Sequence, residues 1–236
     1  MFKNRIEAGV QLAERIDHEV FRKGNHNGKN ELVIVGIPRG GVPAALECAR
    51  KLNCQLDIIV CKKIPFPGQC GDPIGAVSSD AVQIMNHDYK EKTNWAGYIA
   101  DESKKLVEQC QNKELEYYRA AGYEPGFLEN KFVVIVDDGI ASEAVAMAAI
   151  ESVRKRGARR IIMAVPVIGP VHYKDFCYNC DDVIALHVCE DISSPAQFYE
   201  KYPEVSDKEI IAAMRESTNF AATGAGTAII QSLEKV

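Results

Sequence analysis

The chain has 236 residues, 47% hydrophobic and 26% charged, a balance that excludes a disordered polypeptide and fits one folded domain with appendages. Its formal net charge of −5 argues against a general nucleic-acid binder, which would carry a basic excess. No run approaches the ~18 apolar residues of a membrane span, and the start, MFKNRIEAGVQLAERI, lacks the apolar block of a signal peptide; a cytoplasmic protein with no membrane partner is expected.

Ile6, Gly9, Ala13, Ile16 and Val20 recur at helical spacing, predicting an amphipathic helix to about Phe21, where RKGNHNGKN breaks it. Leu32 to Ile37 reads as a buried strand, Val42 to Leu52 as a helix and Leu56 to Cys61 as the next strand. The first turn of this unit is Pro38, Arg39, Gly40 and Gly41, which has neither the GxGxxG of a dinucleotide site nor the GxxxxGK of a nucleoside triphosphate loop. It offers instead an arginine beside glycines that permit close backbone approach. The second strand is expected to end in Lys62 and Lys63, which either solvate that end or reach an anionic ligand as point charges. Ile64 to Gly75, rich in proline and glycine, should lack regular structure. Gly75 to Met85 reads as a strand pair turning near Ser79 and Asp80, and Asp88 to about Ala121 as a charged outer helix, with Tyr117, Tyr118 and Tyr123 as packing residues.

The apolar run Phe132 to Val136 is short and rich in Val and Ile, which favours a strand covered on both faces. Asp137 and Asp138 then fall at its C-terminal end, where open α/β sheets bind ligands. Ala141, Val145, Ala148, Ala149 and Val153 continue at helical spacing to Gly157, and a second apolar run, IIMAVPVIG, follows. The turn from Gly139 to Glu143 therefore lies at a helix N-terminus, whose unpaired N–H groups favour an anion such as phosphate. Val183 to Val188 reads as a further strand, and Ser206 with Glu209 as a capping box for a helix to about Arg215. Residues 217–236 read as a flexible appendage to a domain spanning 1–216. Of the eight cysteines, Cys177 and Cys180 form a CxxC near His172, His187 and Cys189. With no second CxxC at zinc-ribbon spacing, all are read as reduced thiols rather than a metal or redox site.

The order strand, Asp137, Asp138, Gly139, small residues, helix resembles the phosphoribosyl diphosphate (PRPP) motif of type I phosphoribosyltransferases. The segments RIEAGVQLAERI, GIPRGGVPAA, CKK, GDPIGAV and FYEKYPEVSDKEI extend the likeness to a group of such proteins with a DDGIATGAT-type pattern, over about Phe2 to Arg215. The resemblance implies a mainly parallel sheet flanked by helices, a small hood at about 189–205 and a mobile loop at 64–75. It implies transfer of phosphoribosyl from PRPP to a nitrogenous acceptor with release of pyrophosphate. Asp137 and Asp138 would bind the ribose hydroxyls, and Gly139, Ile140, Ala141, Ser142, Glu143, Ala144 and Val145 the 5′-phosphate. Arg39, Gly40 and Gly41 would bind the diphosphate, with Arg39, Lys62 and Lys63 as the catalytic cations and Mg²⁺ accompanying PRPP without direct protein ligands. Phe198, Tyr199 and Tyr202 would stack on the acceptor or else pack in the hood, and a homodimer is a further implication. Where the pattern has Thr, Gly, Ala and Thr the sequence reads Ser142, Glu143, Ala144 and Val145, so it departs at Ser142, Glu143 and Val145 and agrees at Ala144. Ser142 keeps a hydroxyl, Val145 loses one, and Glu143 adds a charge that at ~5 Å from phosphate would cost ~3 kcal/mol at an effective dielectric of ~20. That departure raises a second expectation, a non-catalytic nucleotide or PRPP sensor.

Overall fold

In the computed structural model the described residues are 1–23, 31–69, 72–86, 89, 95–126, 128–141 and 143–218. Five parallel strands, β1 (Leu32–Gly36), β2 (Gln55–Ile58), β6 (Phe132–Val136), β7 (Arg160–Ile168) and β8 (Asp182–Val188), form the main sheet in the order β2-β1-β6-β7-β8. An antiparallel sheet of β3 (Cys61–Ile64), β4 (Gly75–Ser78) and β5 (Gln83–Met85) stands beside it. The helices are α1 (Arg5–Ile16), α2 (Gly41–Leu52), α3 (Ala96–Ala121), α4 (Ala144–Lys155), α5 (Pro170–Asn179) and α6, over 207–218.

The strand period of two separates the core into two layers. Ile34, Val134, Val136, Ile162 and Ala164 face Leu12 and Ile16 of α1 and Ala45 and Ala49 of α2. Val33, Val35, Val133, Ile135 and Met163 face Ala149, Ile150 and Val153 of α4 and Phe176 of α5. Both faces are therefore buried, which is why these strands read as continuous apolar runs. The connection after β1 runs to β2 on one side, and that after β6 runs to β7 on the other. The reversal between β1 and β6 opens a crevice at their C-terminal ends, the place where such sheets hold ligands.

The mainly parallel sheet with helices on both faces is as expected, and three local readings change. α1 stops at Ile16 and passes into a π-helical stretch, Asp17–Lys23. Lys62 and Lys63 do not end a parallel strand: β2 stops at Ile58, and both lysines lie within antiparallel β3. The apolar run hides this break because its backbone is satisfied from a distance, with Val60 N donating to Glu114 Oε2 at 2.9 Å. The helix α5 was not expected, since Phe176 is its one buried residue and no apolar stripe marks it. Ser206 and Glu209 cap α6 as read, with Oγ donating to Oε2 at 2.7 Å. This helix runs to 218 and buries Ser217, so the first residues assigned to the appendage belong to it, while 219–236 lie outside the described residues. Among the described residues no helix is long and apolar enough to cross a membrane.

Candidate functional site

Two turns meet at the crevice. After β1, Ile37 N donates to Val136 O at 3.1 Å and Gly41 N to Ile37 O at 3.1 Å, folding Pro38 to Gly41 back onto the end of β6. The Pro38–Arg39 peptide is cis. A Cβ at Gly40 would stand 2.2 Å from Asp138 Oδ2, and one at Gly41 would stand 2.6 Å from Val136 O and 3.0 Å from Asp137 Oδ1. The two glycines are thus required by the acidic pair itself. Gly41 contributes room rather than a donor, because its N–H is already spent on Ile37.

The two aspartates face different surroundings. Asp138 is buried, and its Oδ2 accepts from Arg5 Nε and from Tyr202 OH, each at 2.7 Å. Its carbonyl accepts from Tyr199 OH at 2.6 Å. Arg5 also donates Nη1 to Pro203 O at 2.6 Å, with its guanidinium 3.6 Å from the Tyr202 ring centroid. The Asp138 side chain therefore fastens α1 and the segment around Tyr202 to the turn. Asp137 is the half-buried member and lines a cavity of about 1350 Å³. Its Oδ1 accepts Asp138 N at 2.8 Å. Burial and the neighbouring Asp138 carboxylate push the Asp137 acid well above the usual carboxylate range.

The stretch expected to cradle phosphate is only partly turned to that cavity. Gly139 has φ +147°, a conformation open to glycine, and a Cβ there would meet Val167 Cγ2 at 2.7 Å and Pro195 Cβ at 2.9 Å. The Ile140 side chain is buried and its N–H donates to Val167 O at 2.9 Å, so that donor is taken by the sheet. Ala141, Glu143, Ala144 and Val145 line the cavity, with Glu143 preceding the first residue of α4, and Ser142 lies outside the described residues.

The three cations expected to act together are divided. Alternation along β3 sends Lys63 to the cavity with Asp137 and Lys62 to a second cavity of about 660 Å³ that Arg39 also lines. Lys62 Nζ donates to Gln109 Oε1 at 2.6 Å. Arg39 is exposed, and its side chain makes no hydrogen bond or ion pair among the described residues. The connection from Ile64 to Gly75 spans β3 and β4, and its ends are joined by Ile74 N donating to Ile64 O at 2.9 Å. Phe66 packs edge-on against Trp95 with centroids 4.9 Å apart, while Asp72 and Pro73 reach the larger cavity. Cys70 and Gly71 lie outside the described residues.

The hood residues pack rather than stack on a ligand. Tyr199 is buried 5.5 Å from the Phe2 ring and 5.1 Å from that of Tyr202, and Phe198 lies in the same cluster. Of the two roles expected for Tyr199, packing is the one these contacts describe. Pro195 reaches the cavity in their place, from a short 3₁₀ helix capped by Ser194 and Gln197.

The chain is similar to proteins named as phosphoribosyl transferases. Two curated relatives from Mycobacterium tuberculosis, strains H37Rv and CDC 1551, each bear the name "Putative phosphoribosyl transferase" and are 34% identical over 228 residues. That match takes in 95% of the chain, which spans about half (49%) of the length of these relatives. The crystal structure of TT1426 from Thermus thermophilus superposes with a TM-score of 0.73 at 29% identity, covering 92% of this chain and 98% of that one. No family model matches the chain. The mainly parallel α/β arrangement is the one that the resemblance to type I phosphoribosyltransferases implies.

Sequence reasoning did not find Arg5 as the partner of Asp138, and nothing local signals a contact 133 positions away. It noted His172 only beside the cysteines. Glu143, His172 and Asp175 instead form the one group of three metal-ligating side chains among the described residues, and no cysteine joins it.

Proposed function

We propose that the crevice binds PRPP and that the protein transfers its phosphoribosyl group to a nitrogenous small molecule, releasing pyrophosphate. The observation that carries this reading is the PRGG turn pressed against the acidic pair at the reversal between β1 and β6. The likeness to the named relatives supports it. Asp137, rather than both aspartates, accepts from the ribose hydroxyls. The first turn of α4 meets the 5′-phosphate through N–H groups that the helix leaves unpaired. Arg39, its exposed side chain unpaired among the described residues, takes diphosphate oxygens through its fork of donors. Lys63 brings positive charge on the Asp137 side of β3, and Lys62 on the side of Arg39.

Mg²⁺, when bound with the diphosphate, would supply neutralisation of its charge and so ease departure of pyrophosphate. The cavity-facing Asp137 is a hard oxygen donor of the kind that ion takes, and a nearby cation would relieve the burial and like-charge repulsion that raise its pKa. The residues present fit the ion. No covalent protein intermediate is needed, since the chain's task is to orient the two reactants and exclude water. The 64–75 connection, with Asp72 and Pro73 at the cavity, is placed to serve the exclusion.

Glu143 favours a second reading, a sensor that binds such ligands without turnover, because its carboxylate lines the cavity where phosphate would lie. Calorimetric titration of PRPP into the wild type and Glu143→Gly, each with and without Mg²⁺, tests the assignment. Micromolar binding by the wild type, followed by pyrophosphate release with an acceptor, supports transfer. Binding recovered only in the variant supports the sensor, and silence from both overturns the PRPP assignment.

A further inference from the structure

Glu143 precedes α4, and His172 and Asp175 lie one turn apart near the start of α5. The two helices pack so that one ligand atom from each of these three residues lies within 4.8 Å of the others, with all three residues on the wall of the larger cavity. His172 Nδ1 stands 3.7 Å from Glu143 Oε2, too far for a hydrogen bond. That nitrogen is shut away from solvent and has no hydrogen-bond partner. A buried ring nitrogen with an unmade bond calls for a missing partner. Around an ion with bonds of ~2.1 Å, ligand atoms stand roughly 3–3.5 Å apart, so small side-chain rotations would close this set.

We infer that Glu143, His172 and Asp175 form a site for one divalent transition-metal ion whose remaining coordination positions face the cavity. One imidazole with two carboxylates suits Mn²⁺, a hard ion that also takes imidazole, or borderline Zn²⁺ better than Mg²⁺, which prefers all-oxygen sets. Such an ion accounts for the charge at Glu143 in a cavity read as a phosphate site. The carboxylate is a metal ligand, and the metal in turn takes a phosphate oxygen, so repulsion becomes a bridge. The bridging step rests on the proposed function; the metal site stands without it.

Mn²⁺ is the suitable probe, because the free thiols of the chain compete for Zn²⁺. Free Mn²⁺ would be followed by electron paramagnetic resonance during titration of the full chain, for wild type, Glu143→Gln, His172→Ala, Asp175→Asn and, as a control, Cys177→Ala. The expected result is one Mn²⁺ per chain, with affinity lowered ~10-fold or more in each of the first three variants and unchanged in the control. Unfolding midpoints near that of the wild type show that the variants fold. No saturable binding by the wild type, or equal binding by wild type and variants, overturns the site. A second titration with inorganic phosphate reads the bridge: Mn²⁺ should tighten phosphate binding in the wild type and not in His172→Ala. Phosphate binding indifferent to Mn²⁺ overturns the bridge and leaves both the metal site and the PRPP reading to their own tests.

Discussion

Replacing Arg5 with leucine removes the cation from a pair in which the two side chains are only 9% and 8% exposed and the contact is 2.7 Å. Exposed ion pairs contribute ~0–1 kcal/mol, because water and salt screen them. This pair is different, since its loss leaves the Asp138 carboxyl in the interior with only Tyr202 OH and local dipoles around it. Breaking a buried pair from one side costs about 3–5 kcal/mol, most of it from the stranded charge. Loss of the Arg5 bond to Pro203 O and of its stacking on Tyr202 adds to the effect. We expect urea denaturation of Arg5→Leu to show a loss in that range, with the slope unchanged. In Asp138→Asn the cost of the same replacement should fall by about 2 kcal/mol or more, because no carboxylate remains to strand. A loss below about 1 kcal/mol, or the same loss in both backgrounds, would refute the assignment of Asp138 as a buried anchor. Near-ultraviolet dichroism should change in parallel, since Tyr199 and Tyr202 are held to the turn through Asp138.

Two further outcomes follow from the same core. Gly41→Ala would put a Cβ 2.6 Å from Val136 O and 2.9 Å from Asp137 Cα, both backbone atoms that cannot rotate away. It should lower stability by about 1–3 kcal/mol in thermal unfolding, and a neutral result would show that the two turns are not in contact. Asp57 is fully buried, and burial raises its acid from 3.8 to about 6 despite the bonds from Tyr118 OH and Ile58 N. Between those values the folded chain keeps a proton that the unfolded chain has released, so this group's stabilising contribution is complete below 3.8 and is lost as pH rises through about 6. At ~1.4 kcal/mol per pH unit the contribution is about 3 kcal/mol. Asp57→Asn should remove that slope from denaturation midpoints measured across the window, and an unchanged slope would locate the titration elsewhere.

The central sheet was legible because its strands are buried on both faces and its helices carry apolar stripes, so that each element announces itself locally. The acidic pair and the PRGG turn were legible as motifs for the same reason. What escaped is what depends on distant partners. Arg5 belongs to an amphipathic helix in which an arginine is ordinarily a solvent-facing residue, and only the fold delivers it to Asp138. Val60 accepts a break in its strand because Glu114, 54 positions away, takes its N–H. That same carboxylate residue binds Arg156, at 2.8 Å, so the crossing from the parallel sheet to the hairpin is tied to the end of α4. The aromatic residues of the hood illustrate a different limit. Their composition suited either a stacking platform or a core, and the choice was made by Phe2, which lies against Tyr199 from the other end of the chain.

The division between the two aspartates changes the electrostatics expected of the cleft. With Asp138 neutralised by Arg5, the acidic side chains lining the larger cavity are Asp72, Asp137, Glu143 and Asp175 against Lys63, and burial raises the Asp137 acid among them. A wall carrying the carboxylates of Asp72, Glu143 and Asp175 against one lysine, with Asp137 shifted toward its neutral acid, repels a sugar phosphate at distances within a Debye length of ~8 Å. Under the proposed function an anionic ligand therefore needs positive charge beyond Lys63, and besides Arg39 and Lys62 two sources would offer it: an ion carried with the diphosphate, and one held by the cluster of Glu143, His172 and Asp175. Ligand affinity should then collapse on chelation with EDTA and recover when a divalent ion is restored. Recovery by Mg²⁺ alone would assign the dependence to the diphosphate. A requirement for Mn²⁺ that is lost in His172→Ala would assign it to the cluster, while binding equally tight in EDTA would refute the electrostatic argument altogether.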